Sequence, residues 1–406
     1  MPMLIGHLDA DCFYASAERV RFPHLKGIPI GVLGNQGACV IAKSYEMKAQ
    51  GVTTGMPIWE AVSQCPQGTY IKRDFQWYEV LSRKMLDLLK KYSPTVEYYS
   101  IDEFFFEADT LEQSFGCSLP EAVAALQTEF LDCVGVPVSI GVSTSRILAK
   151  LGSDSAKPYG WYVLTDPERI AKLLHEQPVD ELTGIGLRSR LKLNSLGITT
   201  CADLAAADRK MIRDLLTIKG EAIWYELQGE SVIPIQVNRP QHKCVARGGS
   251  LGGSITDPEV LNGWLIRNIE RLIEALFAYG YQCGRFCLEL QAKDQTGWSK
   301  QVLLHGHTDA FETLVPAAQK LLRQINPSGI PISYMHVIAK DLRVSGQRQL
   351  SLLDQKSSQA NCLKNKVNQS IGRFALRSAA TLTLPELYSD QAHDHEICDF
   401  YGKTCF

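Results

Sequence analysis

Two adjacent carboxylates interrupt an aromatic run near residue 100. Asp102 and Glu103 lie inside the segment 98–106, whose other residues are mainly Tyr, Ile and Phe. Such residues favour a buried β-hairpin, and removing water from a carboxylate pair is costly unless a cation or hydrogen bonds compensate. The alternative, a surface turn that happens to carry acids, fits the aromatic flanks poorly. The pair is therefore predicted to belong to a metal site.

A second pair of acids follows an apolar segment near the N-terminus. Asp9 and Asp11 come directly after the apolar residues 3–8 and are separated by Ala10. Three or four carboxylates delivered by two strand segments suit Mg²⁺, which prefers hard oxygen ligands and keeps positions open for substrate phosphates. The sequence thus predicts one acidic site built from two strands.

Length and composition restrict the class of protein. The chain has 406 residues, enough for two to four domains, with 45% apolar and 21% charged residues, as in soluble globular proteins. No apolar stretch is long enough to span a membrane, and the N-terminus enters a strand without room for a signal peptide.

The 12 cysteines lack framework spacing, which predicts reduced thiols and a cytoplasmic location. Proteins that bind nucleic acid usually carry an excess of positive charge, whereas this chain has a net charge of −2. If it binds nucleic acid, its positive charges must therefore be segregated from its acids.

Strands and helices alternate irregularly around the two acidic segments. Residues 12–77 read as a small α/β insertion between them, and amphipathic helices are predicted at 75–91 and 119–133, followed by a strand at 136–142. This order predicts an α+β fold in which a mainly antiparallel sheet is backed by helices.

The segment 167–232 changes to short helices. Within it, Gly184 and Gly186 precede a predicted helix and resemble the turn of a helix-hairpin-helix, whose backbone N–H groups can bind a phosphate. An ordinary turn between two helices is the alternative. An extended, Pro-bounded link is predicted at 233–240.

Residues 241–345 show the order β-α-β-β-α-β, which is typical of a ferredoxin-like layer. Beyond residue 345 the composition turns to Gln, Ser, Asn and Lys, and a flexible tail is predicted for 346–406.

Taken together, the motifs resemble the Y-family, or translesion, DNA polymerases of the DinB/UmuC kind over residues 3–354. The resemblance rests on several separate segments in the family's order: HLDADCFYASAE at 7–18, SYEMK at 44–48, GVTTGMP at 51–57, SIDE at 100–103, GVS at 141–143, Lys150, AKP at 156–158 and GIG at 184–186. It implies a right-hand polymerase with a ferredoxin-like palm, small fingers, a helix-hairpin-helix thumb and a little finger. The corresponding bounds are 1–11 and 78–166 for the palm, 12–77 for the fingers, 167–232 for the thumb and 241–345 for the little finger.

The resemblance also implies a role for each acid. Asp9 and Asp102 would each bind two Mg²⁺ ions, for which Mn²⁺ can substitute. Glu103 would bind the ion at the primer end and the Ala10 carbonyl the ion on the triphosphate. Asp11 matches no ligand of the family and is interpreted as a neighbour.

Residues for the incoming deoxyribonucleotide follow from the same resemblance. Tyr14 falls at the steric-gate position beside Phe13, where a flat ring would clash with a ribose 2′-OH; a tyrosine that serves only the core is the alternative. Tyr45 and Lys157 fall where the family binds triphosphate oxygens. Lys48 stands where arginine is common and cannot form a bidentate contact.

A polymerase must bind primer-template DNA of any sequence, and phosphate contacts allow this because they carry no sequence information. Arg247, Arg285 and Lys293 are predicted contacts of the little finger, the last two on one face of a strand, with Gly184 and Gly186 in the thumb. Each of the three cations could equally be a solvated surface charge.

A peptide in the tail resembles the motif that binds the bacterial β sliding clamp. Gln349, Leu350, Ser351, Leu352 and Leu353 carry a glutamine and spaced leucines in an otherwise polar segment, and exposed leucines need a partner. A short turn that packs on its own domain is the alternative.

Further along the tail, residues 368–377 look like the extension that follows this peptide in UmuC-like members. The His and Cys residues between 393 and 405 fit no standard zinc spacing.

Two other functions compete with the polymerase. A catalytically silent relative that only binds DNA and clamp would be marked by loss of the acids, and a nucleotidyl cyclase would need neither the hairpin nor the clamp peptide. The residues do not decide between the DinB and UmuC branches or define further mutasome partners.

Overall fold

The computed structural model describes residues 3–34, 39–238, 240–326 and 329–345, and in the tail 363–364, 366–368, 370–371 and 375–384. The chain divides into two compact units between residues 239 and 240, within the segment predicted to be a link. In the described part of the chain, no helix is both long and apolar enough to cross a membrane.

The first unit mixes short strands and helices. Its strands are β1 (Ile5–Ala10), β2 (Ile30–Leu33), β3 (Val40–Lys43), β4 (Thr69–Lys72), β5 (Val96–Tyr98), β6 (Glu103–Glu107), β7 (Val138–Ser143) and β8 (Trp161–Leu164). Its helices are α1 (Phe13–Arg21), α2 (Tyr45–Ala49), α3 (Ile58–Gln64), α4 (Phe75–Leu89), α5 (Leu111–Phe115), α6 (Leu119–Val134), α7 (Arg146–Ser155), α8 (Pro167–Glu176), α9 (Leu187–Asn194), α10 (Cys201–Ala206) and α11 (Arg209–Leu227).

A five-stranded sheet with the order β5-β6-β1-β7-β8 forms the centre of this unit. β1 pairs antiparallel with β6 on one side and with β7 on the other. Every residue of β1 and β7 is buried, as expected of strands covered on both faces. The sheet therefore supplies a rigid support for residues at the end of β1.

Close packing of α7 on the sheet depends on one glycine. A Cβ atom at Gly141 in β7 would lie 2.0 Å from the Ala149 carbonyl oxygen and 2.5 Å from the Ser153 nitrogen. Because only hydrogen fits there, the backbone of α7 approaches β7 directly. This approach places the side chains of α7 beside the end of β1.

A smaller sheet with the order β3-β2-β4 lies within residues 30–72. β2 and β3 were expected, but β4 was not, and it pairs parallel to β2. None of its residues is fully buried. A strand this short with no apolar run gives little sequence signal.

The second unit has the predicted order of elements. Its members are β9 (Cys244–Ile255), α12 (Pro258–Tyr279), β10 (Tyr281–Gln291), β11 (Gly297–Thr308), α13 (Phe311–Ile325) and β12 (Ile332–Val344). The sheet order is β11-β10-β12-β9. β12 therefore lies between β9 and β10, the two strands that α12 connects. Apolar side chains of α12 and α13 pack on one face of the sheet.

The expectation of a flexible tail fails for its last described residues. Ala379–Thr381 forms a 3₁₀ turn, and Leu384 is buried in the hydrophobic core of the second unit. The clamp-like peptide at 349–353 and the His and Cys residues beyond 393 lie outside the described residues.

Candidate active site

Strand pairing brings the predicted acids together. Asp9 lies directly opposite Glu103 in the antiparallel pair of β1 and β6. The backbone N–H of Ala10 donates to the Asp102 carbonyl oxygen at 2.9 Å. These residues line one open cleft of about 520 Å³ together with Tyr14, Tyr45, Lys48 and Lys157, among others. The three acids predicted to bind metal therefore share one site.

The acids lie in an environment that disfavours their negative charge. Burial raises the pKa of Asp9 to about 7, against the opposing effect of Lys157, and the charges of Asp102 and Glu103 raise it further. Burial also raises the pKa of Asp102, with Glu103 contributing. A cleft of this kind stabilises cations that neutralise the carboxylates.

Two lysines neutralise the acids. The Lys157 ammonium lies 2.8 Å from an Asp9 oxygen and 2.8 Å from an Asp154 oxygen. The Lys150 ammonium, on α7, contacts Glu103. Although burial acts in the opposite sense, these carboxylates raise the pKa of both lysines, and each remains charged. Lys150 was part of a recognised motif, but its contact with Glu103 was not foreseen.

Polar groups next to Asp102 and Lys150 form hydrogen bonds with these residues. The Ser100 hydroxyl donates to Asp102 at 2.5 Å. His7 is fully buried, and burial lowers its pKa well below the usual range, so the ring is neutral. Because the Ser153 hydroxyl donates to the Lys150 carbonyl oxygen at 2.8 Å, we assign the proton in the 2.6 Å contact between His7 and Ser153 to His7 Nδ1.

Asp11 faces away from the other acids. It accepts the Tyr159 N–H at 2.7 Å and the Ser139 hydroxyl at 3.0 Å, and its side chain is buried. The Tyr45 hydroxyl lies 3.4 Å from it. These contacts link the end of β1 to the loop after Lys157 and agree with the interpretation of Asp11 as a neighbour of the ligands.

The chemistry of the site fits divalent magnesium or manganese. The donors are carboxylate oxygens and one backbone carbonyl, and they converge on an open cleft. Within the described residues, however, no three His, Cys, Asp or Glu side chains are already arranged around a point that could hold an ion. Instead, Lys157 contacts Asp9 and Lys150 contacts Glu103.

Tyr14 projects from α1 beside the acids. Its ring stacks on Tyr78 at 4.5 Å and lies 5.8 Å from Phe13 and 5.7 Å from Phe75. Phe13 is buried, whereas Tyr14 is partly exposed and lines the cleft. A ring fixed in this way can act as a steric wall.

Two further polar residues line the cleft. Lys43 is the last residue of β3, opposite Gly31, and donates to the Thr54 hydroxyl at 2.9 Å. Neither Lys43 nor Thr54 was predicted from the sequence. Lys48, which was predicted, is exposed on the last turn of α2. Lys43 and Lys48 add positive charge to the lining of the cleft.

The predicted DNA contacts differ in their surroundings. Gly184 has φ +102°, Gly186 directly precedes α9, and both residues are exposed. Arg285 is exposed on β10, and Lys293 is exposed just beyond the end of that strand. Arg247 is only 7% exposed on β9. Its role as a phosphate contact stays a prediction, and its burial weighs against it.

The sheet, the acidic cleft and the second unit together define a class of protein: the Y-family DNA polymerases. A chimera of the Y-family polymerases Dbh and Dpo4 has the same fold, with a TM-score of 0.70 at 23% identity over 84% of this chain and 100% of that chain. DinB from Sulfolobus solfataricus matches with a TM-score of 0.53 at 25% identity over 83% of this chain and 98% of that chain.

Within that class the chain belongs to the impB/mucB/samB family. The family model matches residues 8–154, and the model of the family's C-terminal domain matches residues 242–352. Protein ImpB of Salmonella typhimurium is 30% identical over 93% of both chains, and DNA polymerase IV 1 of Bacillus subtilis (strain 168) is 28% identical over 94% of both. The predicted family and fold are confirmed, and with them the predicted class of enzyme, a DNA-directed DNA polymerase.

Proposed function

We propose that this chain extends DNA primers on damaged templates by phosphoryl transfer assisted by two Mg²⁺ ions. The observation that carries the proposal is the pairing of Asp9 with Glu103 across β1 and β6, with Asp102 at the start of the same hairpin strand. This arrangement concentrates three carboxylates in one open cleft, where a triphosphate and its ions need them.

The acids hold the ions in distinct combinations. Asp9 and Asp102 would bind both, Glu103 would bind the one nearer the primer, and the Ala10 carbonyl would bind the one nearer the triphosphate. When bound, the ions lower the pKa of the primer 3′-OH and neutralise charge on the departing pyrophosphate. Ser100 fixes Asp102 through its 2.5 Å hydrogen bond.

Lys157 binds the triphosphate in this proposal. It now neutralises Asp9 and Asp154, and ions on the acids would release its charge towards phosphate oxygens. The Tyr45 hydroxyl, 3.4 Å from Asp11, is near enough to the cleft to turn towards the same oxygens. Lys48 adds a point charge to the lining of the cleft.

Tyr14 selects the sugar. Its ring is supported from behind by Tyr78, so it cannot move away from an incoming ribose without losing that stacking. A 2′-OH would meet the ring, whereas a deoxyribose would not. Phe13, buried beside it, holds the start of α1 in place.

DNA is bound through its backbone. The backbone N–H groups of the exposed residues Gly184 and Gly186 and the exposed cations Arg285 and Lys293 are candidate phosphate contacts. We place the palm at 1–11 and 78–166, the fingers at 12–77, the thumb at 167–232 and the little finger at 241–345.

The tail recruits the enzyme to the β sliding clamp through Gln349–Leu353, and the site of action is the cytoplasm. The cysteines of the described residues are free thiols, as is usual in the cytoplasm. Further mutasome proteins bind the same tail in this proposal.

Primer extension on an undamaged and a lesion-bearing template, with Mg²⁺ and with a chelator, tests the proposal. We expect extension past the lesion that depends on the ion. DNA binding without extension would favour the silent scaffold, and formation of a cyclic nucleotide without primer would favour the cyclase.

A further inference from the structure

Helix α12 of the second unit is covered on the side away from the sheet. A helix that packs on a sheet with one face ordinarily leaves charged residues of the opposite face in water. On α12, however, Arg267 is only 4% exposed and Glu270 only 6%. Both are members of a run from Trp264 to Ile273 in which every residue is buried. Another part of the chain must therefore lie over this face.

Glu270 is the polar anchor of the covering segment. The Lys364 ammonium contacts its Oε1 atom, and the backbone N–H of Ser378 donates to the same atom at 2.8 Å. Lys364 also lies over the ring of Phe311, 5.4 Å from its centroid. Lys364 and Ser378, which are far apart in the sequence of the tail, thus contact the same buried carboxylate.

Gly263 provides a notch in the surface of α12 about two turns before this anchor. A Cβ atom there would lie 2.8 Å from the Thr383 hydroxyl and 3.4 Å from a methyl carbon of Leu384. Leu384 itself is 6% exposed and belongs to the core cluster of the unit. The missing side chain of Gly263 is what admits the covering segment.

The covering segment also has internal order. The Asn368 side chain accepts the Leu376 N–H at 2.7 Å and donates to the Leu376 carbonyl oxygen at 3.0 Å. Thr381 is fully buried, and its hydroxyl donates to the Ser378 carbonyl oxygen at 2.6 Å. These contacts hold Asn368 next to Leu376 and Thr381 next to Ser378 within the covering segment.

We propose that the outer face of α12 is a docking surface whose occupant is a segment of the chain's own tail, made up of the described residues 363–364, 366–368, 370–371 and 375–384. The little finger is then completed by residues that lie beyond the clamp-like peptide, and the matched family domain ends before them at residue 352. This proposal does not depend on clamp binding or on polymerase activity. It predicts that the segment is as ordered as the domain it covers.

Amide hydrogen exchange of the full-length protein, followed by mass spectrometry, tests the docking directly. We expect peptides within 375–384 to exchange at least about a hundredfold more slowly than an unstructured chain. Leu384→Ala should remove most of that protection, whereas Leu382→Ala should retain it, because Leu382 is 60% exposed in the same turn. Exchange of the wild-type segment at the rate of an unstructured chain would overturn the proposal.

A second pair of variants tests the polar anchor without altering the core. Lys364→Ala should speed exchange in 375–384, and Lys366→Ala, at an exposed neighbouring position, should not. Equal effects of the two lysine variants would show that the contact of Lys364 with Glu270 does not hold the segment, and would contradict the proposal. Protection that appears only at high protein concentration, together with a dimer mass, would assign the surface to a second copy of the chain and overturn the intramolecular arrangement.

Discussion

Asp9 lies directly opposite Glu103 in the pairing of β1 with β6, and each carboxylate contacts a different lysine. Lys157 neutralises Asp9 and Lys150 neutralises Glu103. The two lysines differ in position, since Lys157 follows α7 while Lys150 lies within it. Lys157 therefore lies beyond the end of the helix, whereas Lys150 is held by the helix that packs on Gly141.

The contact of Lys150 with Glu103 predicts a positioning role. Lys150→Ala should lower the rate of primer extension by about ten- to a hundredfold and raise the Mg²⁺ concentration needed for half-maximal rate. The reason is that Glu103 loses the ammonium that orients it. The measurement is a Mg²⁺ titration of single-turnover extension, paired with Mn²⁺ binding to the free protein.

Two variants serve as controls for this prediction. Lys150→Arg should recover part of the rate because it retains the charge, and Lys91→Ala, at an exposed position after α4, should behave as wild type. If Lys150→Ala lowers the rate without changing the response to either ion, then Lys150 does not act through Glu103.

The stacking of Tyr14 on Tyr78 predicts selectivity for the sugar. Tyr14→Ala should admit ribonucleotides while it retains incorporation of deoxyribonucleotides, because the ring no longer stands where a 2′-OH would point. Tyr14→Phe keeps the ring and should keep the selectivity. The measurement is the ratio of kcat/KM for the two nucleotides, and an unchanged ratio in the alanine variant would exclude Tyr14 as the gate.

The clamp-like peptide predicts a separable function. Replacing Gln349, Leu350 and Leu353 with alanine should leave distributive synthesis on a short template nearly unchanged. The same variant should lose the stimulation by the β clamp on a loaded primer, because a bound peptide raises the effective concentration of the enzyme at the primer end. Equal stimulation of variant and wild type would show that these leucines have another role.

Much of the site was predictable because its chemistry is local in sequence. Asp102 and Glu103 stand out against aromatic neighbours, and the order of elements predicted for residues 241–345 matches that of the second unit. The contact of Lys150 with Glu103 was not predictable, because it depends on how closely α7 approaches β7 at Gly141.

Other features also required tertiary information. Arg247 reads as a surface cation in an alternating strand, and its burial follows from its position on the side of β9 shared by Val245 and Leu251. The packing of Leu384 was hidden because the sequence does not distinguish it from Leu382, which is 60% exposed in the same turn. The partner of Leu384 is the notch at Gly263, a feature that composition does not reveal.

The most direct test of the account is single-turnover primer extension by Asp102→Asn, with Asp9→Asn alongside it. Each substitution removes a charged ligand while preserving side-chain size, so the fold and DNA affinity should persist. Asp11→Asn is the matched control at a carboxylate that faces away from the cleft. We predict that both ligand variants lose more than about a hundredfold in rate, which corresponds to about 2.7 kcal/mol of barrier, and that Asp11→Asn loses much less. Retention of more than about a hundredth of the wild-type rate by either ligand variant would contradict the assignment of the acids as the metal site.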